Sequence, residues 1–127
     1  MRKHVFLIDD DMDEMKIFVE AIKKAGVSFR CTYAASGVQA LEMLQYLTPE
    51  VIFIDYNMPA LNGVEVAKAI RRNEALAHVP LFLYSNQVNP SVEASASEAG
   101  ILSCIEKPGS LEKLSEVIGK ALQLQPV

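Results

Sequence analysis

The sequence lacks several features that would place it in other protein classes. It has no tryptophan and two cysteines, Cys31 and Cys104, which show neither CxxC nor another metal-binding spacing. No apolar run approaches the roughly 20 residues of a membrane helix, and Asp9 ends the first apolar run too early for a signal peptide. We therefore expect a cytoplasmic protein that does not bind a membrane, with both cysteines reduced and buried as small hydrophobic residues.

Positive charge is also scarce. The 127 residues carry a net charge of −4, and beyond the N-terminus basic residues adjoin only at Lys23-Lys24 and Arg71-Arg72. Because nucleic-acid binding needs a basic patch for the phosphate backbone, no nucleic-acid partner is expected. Half of the residues are hydrophobic, which is enough for one buried core. We expect a single domain over 1–127, with its core at about 4–122 and no output domain.

Five short apolar runs alternate with five helical patterns along the chain. The predicted strands are 5–8, 27–33, 51–54, 81–84 and 101–105, and the predicted helices are 12–26, 37–47, 64–76, 91–99 and 111–124. The second strand alternates in polarity, which favours an edge position, whereas the first, third and fourth are apolar throughout. The pattern predicts an α/β, flavodoxin-like (βα)5 three-layer sandwich with five parallel strands in the order 2-1-3-4-5.

The aspartates are concentrated where two of these strands end. All five lie at or just after the end of the first or third strand: Asp9, Asp10, Asp11, Asp13 and Asp55. In the favoured order these strands are neighbours, about 4.8 Å apart, and their carboxyl ends meet at the edge where ligands bind. Asp9, Asp10 and Asp55 are therefore expected to lie together. Such a group needs raised pKa values or a cation, and oxygen ligands suit Mg²⁺.

The fourth and fifth strands should bring Ser85 and Lys107 to the same edge. The backbone of Lys107 would lie two strand spacings, ~10 Å, from that of Asp55, a gap that a lysine side chain largely spans. An aspartate carboxylate can attack phosphorus and form an acyl phosphate, and phosphoryl transfer depends mainly on positioning and charge neutralisation. The sequence predicts that Asp55 accepts a phosphoryl group, that Mg²⁺ and Lys107 neutralise its charge, and that the Ser85 hydroxyl donates a hydrogen bond to it.

These residues resemble the receiver domains of response regulators, such as the chemotaxis receiver. The resemblance covers about residues 4–122 and rests on four segments: Ile8-Asp9-Asp10, the D-x-x-M-P-x-x-x-G loop at 55–63, Ser85 and Lys107-Pro108. It implies a two-component phosphorelay protein. The phosphoryl donor would be a phosphohistidine on a sensor histidine kinase or a histidine phosphotransfer protein.

The resemblance also implies roles for individual residues. Asp55 would be the phosphoacceptor, with Lys107 and Ser85 in the family's lysine and hydroxyl positions. Mg²⁺, or Mn²⁺ in its place, would bind Asp10, Asp55 and the backbone carbonyl of Asn57 directly, and Asp9 through water. By the same resemblance, the Lys107–Pro108 peptide bond is expected to be cis, which is uncommon for X–Pro bonds in folded proteins.

Two positions depart from the family pattern. Cys104 stands where many relatives carry an aromatic residue that swings inward on phosphorylation, and Gly109 stands where many carry a bulky apolar residue. A fully aromatic switch is therefore not expected. A smaller motion of Ser85 and of the loop at 86–90 would report the phosphoryl group instead.

The expected function is that of a stand-alone receiver that catalyses only its own phosphorylation and dephosphorylation and is otherwise no enzyme. Its output would be a contact with a downstream protein that the sequence does not identify. One alternative is an interaction module of the same fold that works without phosphate. A haloacid-dehalogenase phosphatase would share Asp9-x-Asp11, but its later motifs and cap domain are missing. A flavodoxin-like electron carrier would need a Ser/Thr/Gly-rich phosphate loop where acids stand after the first strand.

Overall fold

The computed structural model describes residues 2–86 and 88–123. Its centre is a five-stranded sheet in the order β2-β1-β3-β4-β5, and every neighbouring pair of strands is parallel. The strands are β1 (Lys3–Ile8), β2 (Phe29–Ala34), β3 (Val51–Asp55), β4 (Leu81–Ser85) and β5 (Ser103–Glu106). The predicted α/β fold and strand order are confirmed, and the alternating second strand lies at an edge.

The helices cover both faces of this sheet. They are α1 (Met12–Ala25), α2 (Gly37–Met43), α3 (Gly63–Arg71), α4 (Pro90–Glu98) and α5 (Leu111–Gln123). One hydrophobic core lies between the sheet and α2, α3 and α4, and a second lies between the sheet and α1 and α5. The three-layer arrangement follows from right-handed crossovers. The connection through α1 runs one way along the sheet, from β1 to β2, whereas those through α2, α3 and α4 run the other way, so these three helices lie on the opposite face.

β3 shows why the central strands read as unbroken apolar runs. All five of its residues are buried. Ile52 and Ile54 face the α2–α3–α4 core, while Val51 and Phe53 face the α1–α5 core. On that second face Phe53 stacks on Phe82, with 5.2 Å between the ring centroids. A strand buried on both faces needs apolar residues along its length, and the one exception in β3 is its last residue, Asp55.

The third helix ends earlier than the sequence predicts. Instead of one helix over 64–76, α3 ends at Arg71, and a 3₁₀ turn (Glu74–Leu76) follows. The Asn73 side chain caps this turn by accepting a hydrogen bond from the Ala75 amide at 3.0 Å. Asparagine competes for backbone donors in this way, which favours turns over continued helix.

The second helix is also shorter than the predicted 37–47, because it ends at Met43. Its buried residues include Gly37 and Ala40, while Val38 is 54% exposed. A Cβ at Gly37 would lie 2.6 Å from Val66 Cγ2, so the helix contacts α3 through its smallest residues. Leu111, the first residue of α5, is 42% exposed. The predicted helix end at 124 lies outside the described residues.

The two cysteines lie on opposite edges of the sheet, Cys31 on β2 and Cys104 on β5. Both are free thiols, as expected, but each is half-buried rather than buried. Burial raises the pKa of the Cys31 thiol to about 11, which keeps it protonated at neutral pH. Within the described residues, no helix combines the length and the apolar character needed to cross a membrane.

Candidate phosphoacceptor and metal site

Three aspartates meet at the carboxyl edge of the sheet. Ile8 of β1 pairs with Ile54 of β3, so Asp9 and Asp55 follow at equivalent positions on neighbouring strands. Asp9, Asp10 and Asp55 each offer a carboxylate oxygen, and these oxygens lie within 4.8 Å of one another. Asp9 and Asp55 are buried and Asp10 is exposed. The predicted cluster is therefore present and open to solvent through Asp10.

The turn between β1 and α1 is held by hydrogen bonds. Asp9 Oδ1 accepts from the Asp11 amide at 2.9 Å, and Asp11 Oδ1 accepts from the Asp13 amide at 2.9 Å, which caps α1. From the edge strand β2, the Tyr33 hydroxyl donates to the Asp9 carbonyl oxygen at 2.6 Å. Asp11 is thus the N-cap of α1. The Tyr33 hydroxyl holds the Asp9 backbone in place, a contact that the sequence did not reveal.

Lys107 follows β5 and extends its side chain into the cluster. Its Nζ lies 3.4 Å from Asp9 Oδ2 and 3.5 Å from Asp55 Oδ1. A third carboxylate oxygen, Glu14 Oε2, lies 3.6 Å from the same nitrogen. The Lys107 side chain is only 7% exposed. The predicted approach of this lysine to Asp55 is confirmed, and Glu14 joins it.

The pKa values reflect the burial of these charges. Burial raises the pKa of Asp55 to about 6, and the Asp9 carboxylate adds to the rise, while Lys107 opposes it. Burial likewise raises the pKa of Asp9. Burial lowers the pKa of Lys107. The carboxylates of Asp9, Asp55 and Glu14 together raise this pKa by more than burial lowers it, so the net shift is upward. One ammonium thus leaves the carboxylates only partly neutralised.

The donor set fits a hard divalent cation. The clustered ligand atoms of Asp9, Asp10 and Asp55 are all carboxylate oxygens. Mg²⁺ binds through one or two carboxylates and keeps several waters, and Mn²⁺ accepts the same ligands. A cation here would offset the repulsion from Asp9 that adds to the effect of burial on the pKa of Asp55. The residues present therefore fit Mg²⁺ or Mn²⁺.

The other predicted site residues lie at the end of β4 and in the loop after β3. Ser85 is fully buried at the end of β4, and its carbonyl oxygen accepts a hydrogen bond from the Lys107 amide at 2.7 Å. Asn57 is exposed two residues after Asp55. The roles of the Ser85 hydroxyl and the Asn57 carbonyl stay predictions.

The prediction of a cis peptide bond between Lys107 and Pro108 is wrong. Every peptide bond between described residues is trans, including this one. The trans form of an X–Pro bond is favoured by about 0.5–1 kcal/mol. In this backbone geometry the Lys107 amide bonds to Ser85 and the ammonium still reaches Asp9 and Asp55.

The loop between β3 and α3 closes tightly behind Asp55. The Gly63 amide donates to the Tyr56 carbonyl at 2.9 Å. A Cβ at Gly63 would lie 2.6 Å from the Asp55 carbonyl oxygen and 2.8 Å from Leu83 Cδ1. α3 then begins with a capping box in which Asn62 and Glu65 each bond the other's amide at 2.9 Å. This loop brings the N-terminus of α3 close behind the phosphoacceptor candidate.

Together, a parallel doubly wound sheet and an acidic cluster with one lysine at its carboxyl edge define a class of α/β protein that binds ligands where the winding reverses. The chain belongs to the response regulator receiver domain family, whose family model matches residues 5–119. This membership favours the receiver interpretation over the phosphatase and electron-carrier alternatives.

Individual proteins resemble the chain over nearly its whole length. It is 28% identical over 118 residues to the polar-differentiation response regulator DivK of Brucella ovis, covering 93% of this chain and 94% of DivK. The phosphorylated cyanobacterial phytochrome response regulator RcpA superposes with a TM-score of 0.88 at 20% identity, covering 98% of this chain and 94% of RcpA. The receiver domain of sensor histidine kinase PA1611 from Pseudomonas aeruginosa has a magnesium ion in its active-site cleft. It superposes with a TM-score of 0.78 at 20% identity, covering 94% of this chain and 97% of the PA1611 domain.

Proposed function

We propose that this protein is a phosphorelay receiver that accepts a phosphoryl group on Asp55 from a phosphohistidine. The observation that carries the proposal is the position of the Asp55 carboxylate, buried at the strand end with the Lys107 ammonium 3.5 Å away. A phosphoryl group arriving there would meet a fixed positive charge. Since phosphoryl transfer depends on positioning and charge neutralisation, this arrangement suits the reaction.

In the proposed step an ionised oxygen of Asp55 attacks phosphorus. The new O–P bond forms as the N–P bond of the phosphohistidine breaks, and the imidazole nitrogen keeps the electron pair. Lys107 stabilises the charge on the phosphoryl oxygens, and the Ser85 hydroxyl donates a hydrogen bond to one of them. Hydrolysis of the resulting acyl phosphate would return Asp55 to its starting form, so the chain acts only on its own phosphoryl group.

Asp10, Asp55 and the Asn57 carbonyl would hold Mg²⁺ or Mn²⁺ directly, with Asp9 acting through water. The metal would supply positive charge against the phosphoryl oxygens. Two structures of the same fold support this proposal, since RcpA is phosphorylated and the PA1611 receiver holds magnesium. The donor would be a sensor histidine kinase or a histidine phosphotransfer protein in the cytoplasm, and the output would be a changed protein–protein contact.

The test is phosphorylation by acetyl phosphate with Mg²⁺, followed by intact-protein mass spectrometry. We expect wild type to gain the mass of one phosphoryl group and Asp55→Asn to gain none. Asp13→Asn removes an exposed acid of the same segment that lies outside the cluster and should behave as wild type. No gain in wild type, or an equal gain in Asp55→Asn, would overturn the proposal.

A further inference from the structure

The ammonium of Lys107 has two neighbours that the proposed phosphoryl transfer does not use. Besides Asp9 and Asp55, it lies 3.6 Å from Glu14 Oε2 on α1. It also lies 4.7 Å from the centroid of the Tyr84 ring, above the ring. Both contacts come from elements other than the one that carries Lys107, so they act on where its side chain rests.

The Tyr84 ring can hold the Lys107 ammonium without carrying a charge that would compete with the phosphoryl group for it. The residue is 1% exposed and lies opposite Asp55 in the strand register. Its ring meets the edge of the Phe18 ring, with 5.6 Å between centroids, which restricts its orientation. Among the described residues its hydroxyl makes no hydrogen bond, so the ring face is what it offers Lys107. An aromatic face attracts a cation through its quadrupole and carries no net charge.

Glu14 differs from Tyr84 because it carries a full negative charge. Its side chain is 24% exposed and lines a cavity of about 650 Å³ between α1 and the start of α5. Lys107 and Tyr84 line the same cavity. The ammonium lies almost equally far from Glu14 Oε2, at 3.6 Å, and from Asp55 Oδ1, at 3.5 Å, so both carboxylates attract the same positive charge.

On the basis of the proposed function, we infer that Tyr84 and Glu14 are positioning residues with opposite effects on Lys107. The Tyr84 ring supports the ammonium within reach of Asp55. The Glu14 carboxylate competes with the phosphoryl oxygens for that ammonium. Together they set how much of the time Lys107 is available to the reaction, and thus how fast the site is phosphorylated.

The first experiment compares initial rates of phosphorylation by acetyl phosphate at saturating Mg²⁺. Tyr84→Leu should be slower than wild type by about threefold or more, while Tyr84→Phe, which keeps the ring, should restore the rate. Glu14→Gln should be faster by about twofold or more, because the competing carboxylate is lost. Retained circular dichroism and thermal midpoint show that each variant is folded.

The matched control for Glu14→Gln is Glu20→Gln. Glu20 lies on the same helix and lines the same cavity, but its carboxylate pairs with Lys23 at 3.7 Å. Both variants remove one negative charge, so equal acceleration would overturn the Glu14 part by showing a general charge effect. If Tyr84→Leu does not fold, this comparison still decides the Glu14 part, and the measurement on Tyr84→Phe below decides the Tyr84 part.

A second measurement observes the contact itself. The ε-methylene protons of Lys107 should show upfield NMR shifts from the Tyr84 ring in wild type and Tyr84→Phe, and ordinary shifts in Tyr84→Leu. Ordinary shifts in wild type or Tyr84→Phe, or a rate in Tyr84→Phe as low as in Tyr84→Leu, would overturn the Tyr84 part. If wild type is not phosphorylated at all, the proposed function fails, whereas normal wild-type phosphorylation with unchanged variants defeats this inference alone.

Discussion

At the scale of single residues, the raised pKa of Asp55 is the clearest indication of a functional site. Burial and the neighbouring Asp9 raise its pKa to about 6 from the ordinary value of 3.8. The ionised form that the proposed attack requires is thus disfavoured by the fold that presents it. A group whose charge costs stability is typical of a functional position rather than a structural one.

We predict that Asp55→Asn stabilises the metal-free protein at pH 7. A raised pKa of this size corresponds to roughly 1–3 kcal/mol, since one unit is about 1.4 kcal/mol. Urea denaturation in EDTA, followed by circular dichroism, measures the difference. Asp13→Asn, which removes an exposed acid outside the cluster, is the control and should not raise the unfolding free energy, because the dipole of α1 favours a negative charge in its first turn. A destabilised Asp55→Asn would contradict the prediction.

The same shift predicts how stability depends on pH. Because the pKa of Asp55 is higher in the folded state, the folded protein binds the proton more tightly than the unfolded chain. The wild-type free energy of unfolding should therefore rise, relative to Asp55→Asn, as pH falls from about 7 through about 6 towards 4. Denaturation curves of both proteins across this range measure it, and a constant difference would count against the shift.

At this scale the sequence predicted the site residues at strand ends and missed the residues of other elements that contact the Lys107 side chain. Asp9, Asp55 and Lys107 were predictable because parallel strands deliver their next residues to one edge. Glu14 and Tyr84 were not, since their contacts with Lys107 depend on how α1 rotates on the sheet and on which face of β4 turns toward it. A hydrophobic pattern determines neither the rotation of α1 on the sheet nor the face of β4 that turns toward Lys107.

At the scale of elements, the loop from β3 to α3 determines how closely the helix follows the phosphoacceptor candidate. Gly63→Ala would put a Cβ 2.6 Å from the Asp55 carbonyl oxygen, a backbone atom that cannot move aside cheaply. We predict a loss of about 1–3 kcal/mol of unfolding free energy. Gly109→Ala is the matched control, since nothing lies within 4 Å of its added Cβ. Equal stabilities in urea denaturation would contradict this prediction.

Element boundaries were the weakest part of the sequence interpretation. The end of α3 is held by Arg71, whose guanidinium donates to the carbonyl oxygens of Leu76 at 3.0 Å and Gly100 at 2.8 Å. These bonds join α3, the 3₁₀ turn and Gly100, the second residue after α4. They link residues up to 29 positions apart, so a local pattern could not show where the helix stops.

At the scale of the whole molecule, Mg²⁺ should act as a stabilising ligand. An ion that binds the folded state raises the unfolding free energy by about 1.4 kcal/mol for each tenfold increase in concentration above its dissociation constant. We predict a rise in thermal midpoint when Mg²⁺ is added and its reversal by EDTA. Asp10→Asn, which removes the exposed carboxylate of the cluster, should lose most of the rise. An undiminished rise in that variant would contradict the assignment of Asp10.

The sequence by itself determined the class of fold, the order of the strands and the edge at which Asp9, Asp10, Asp55 and Lys107 meet. It could do so because strand burial, the handedness of crossovers and the direction of parallel strands are general constraints on any chain. Only the tertiary structure decided the surroundings of the Lys107 ammonium, the trans geometry before Pro108 and the points where helices end. These depend on distances of a few ångströms between segments remote in sequence, which are set when the helices pack on the sheet.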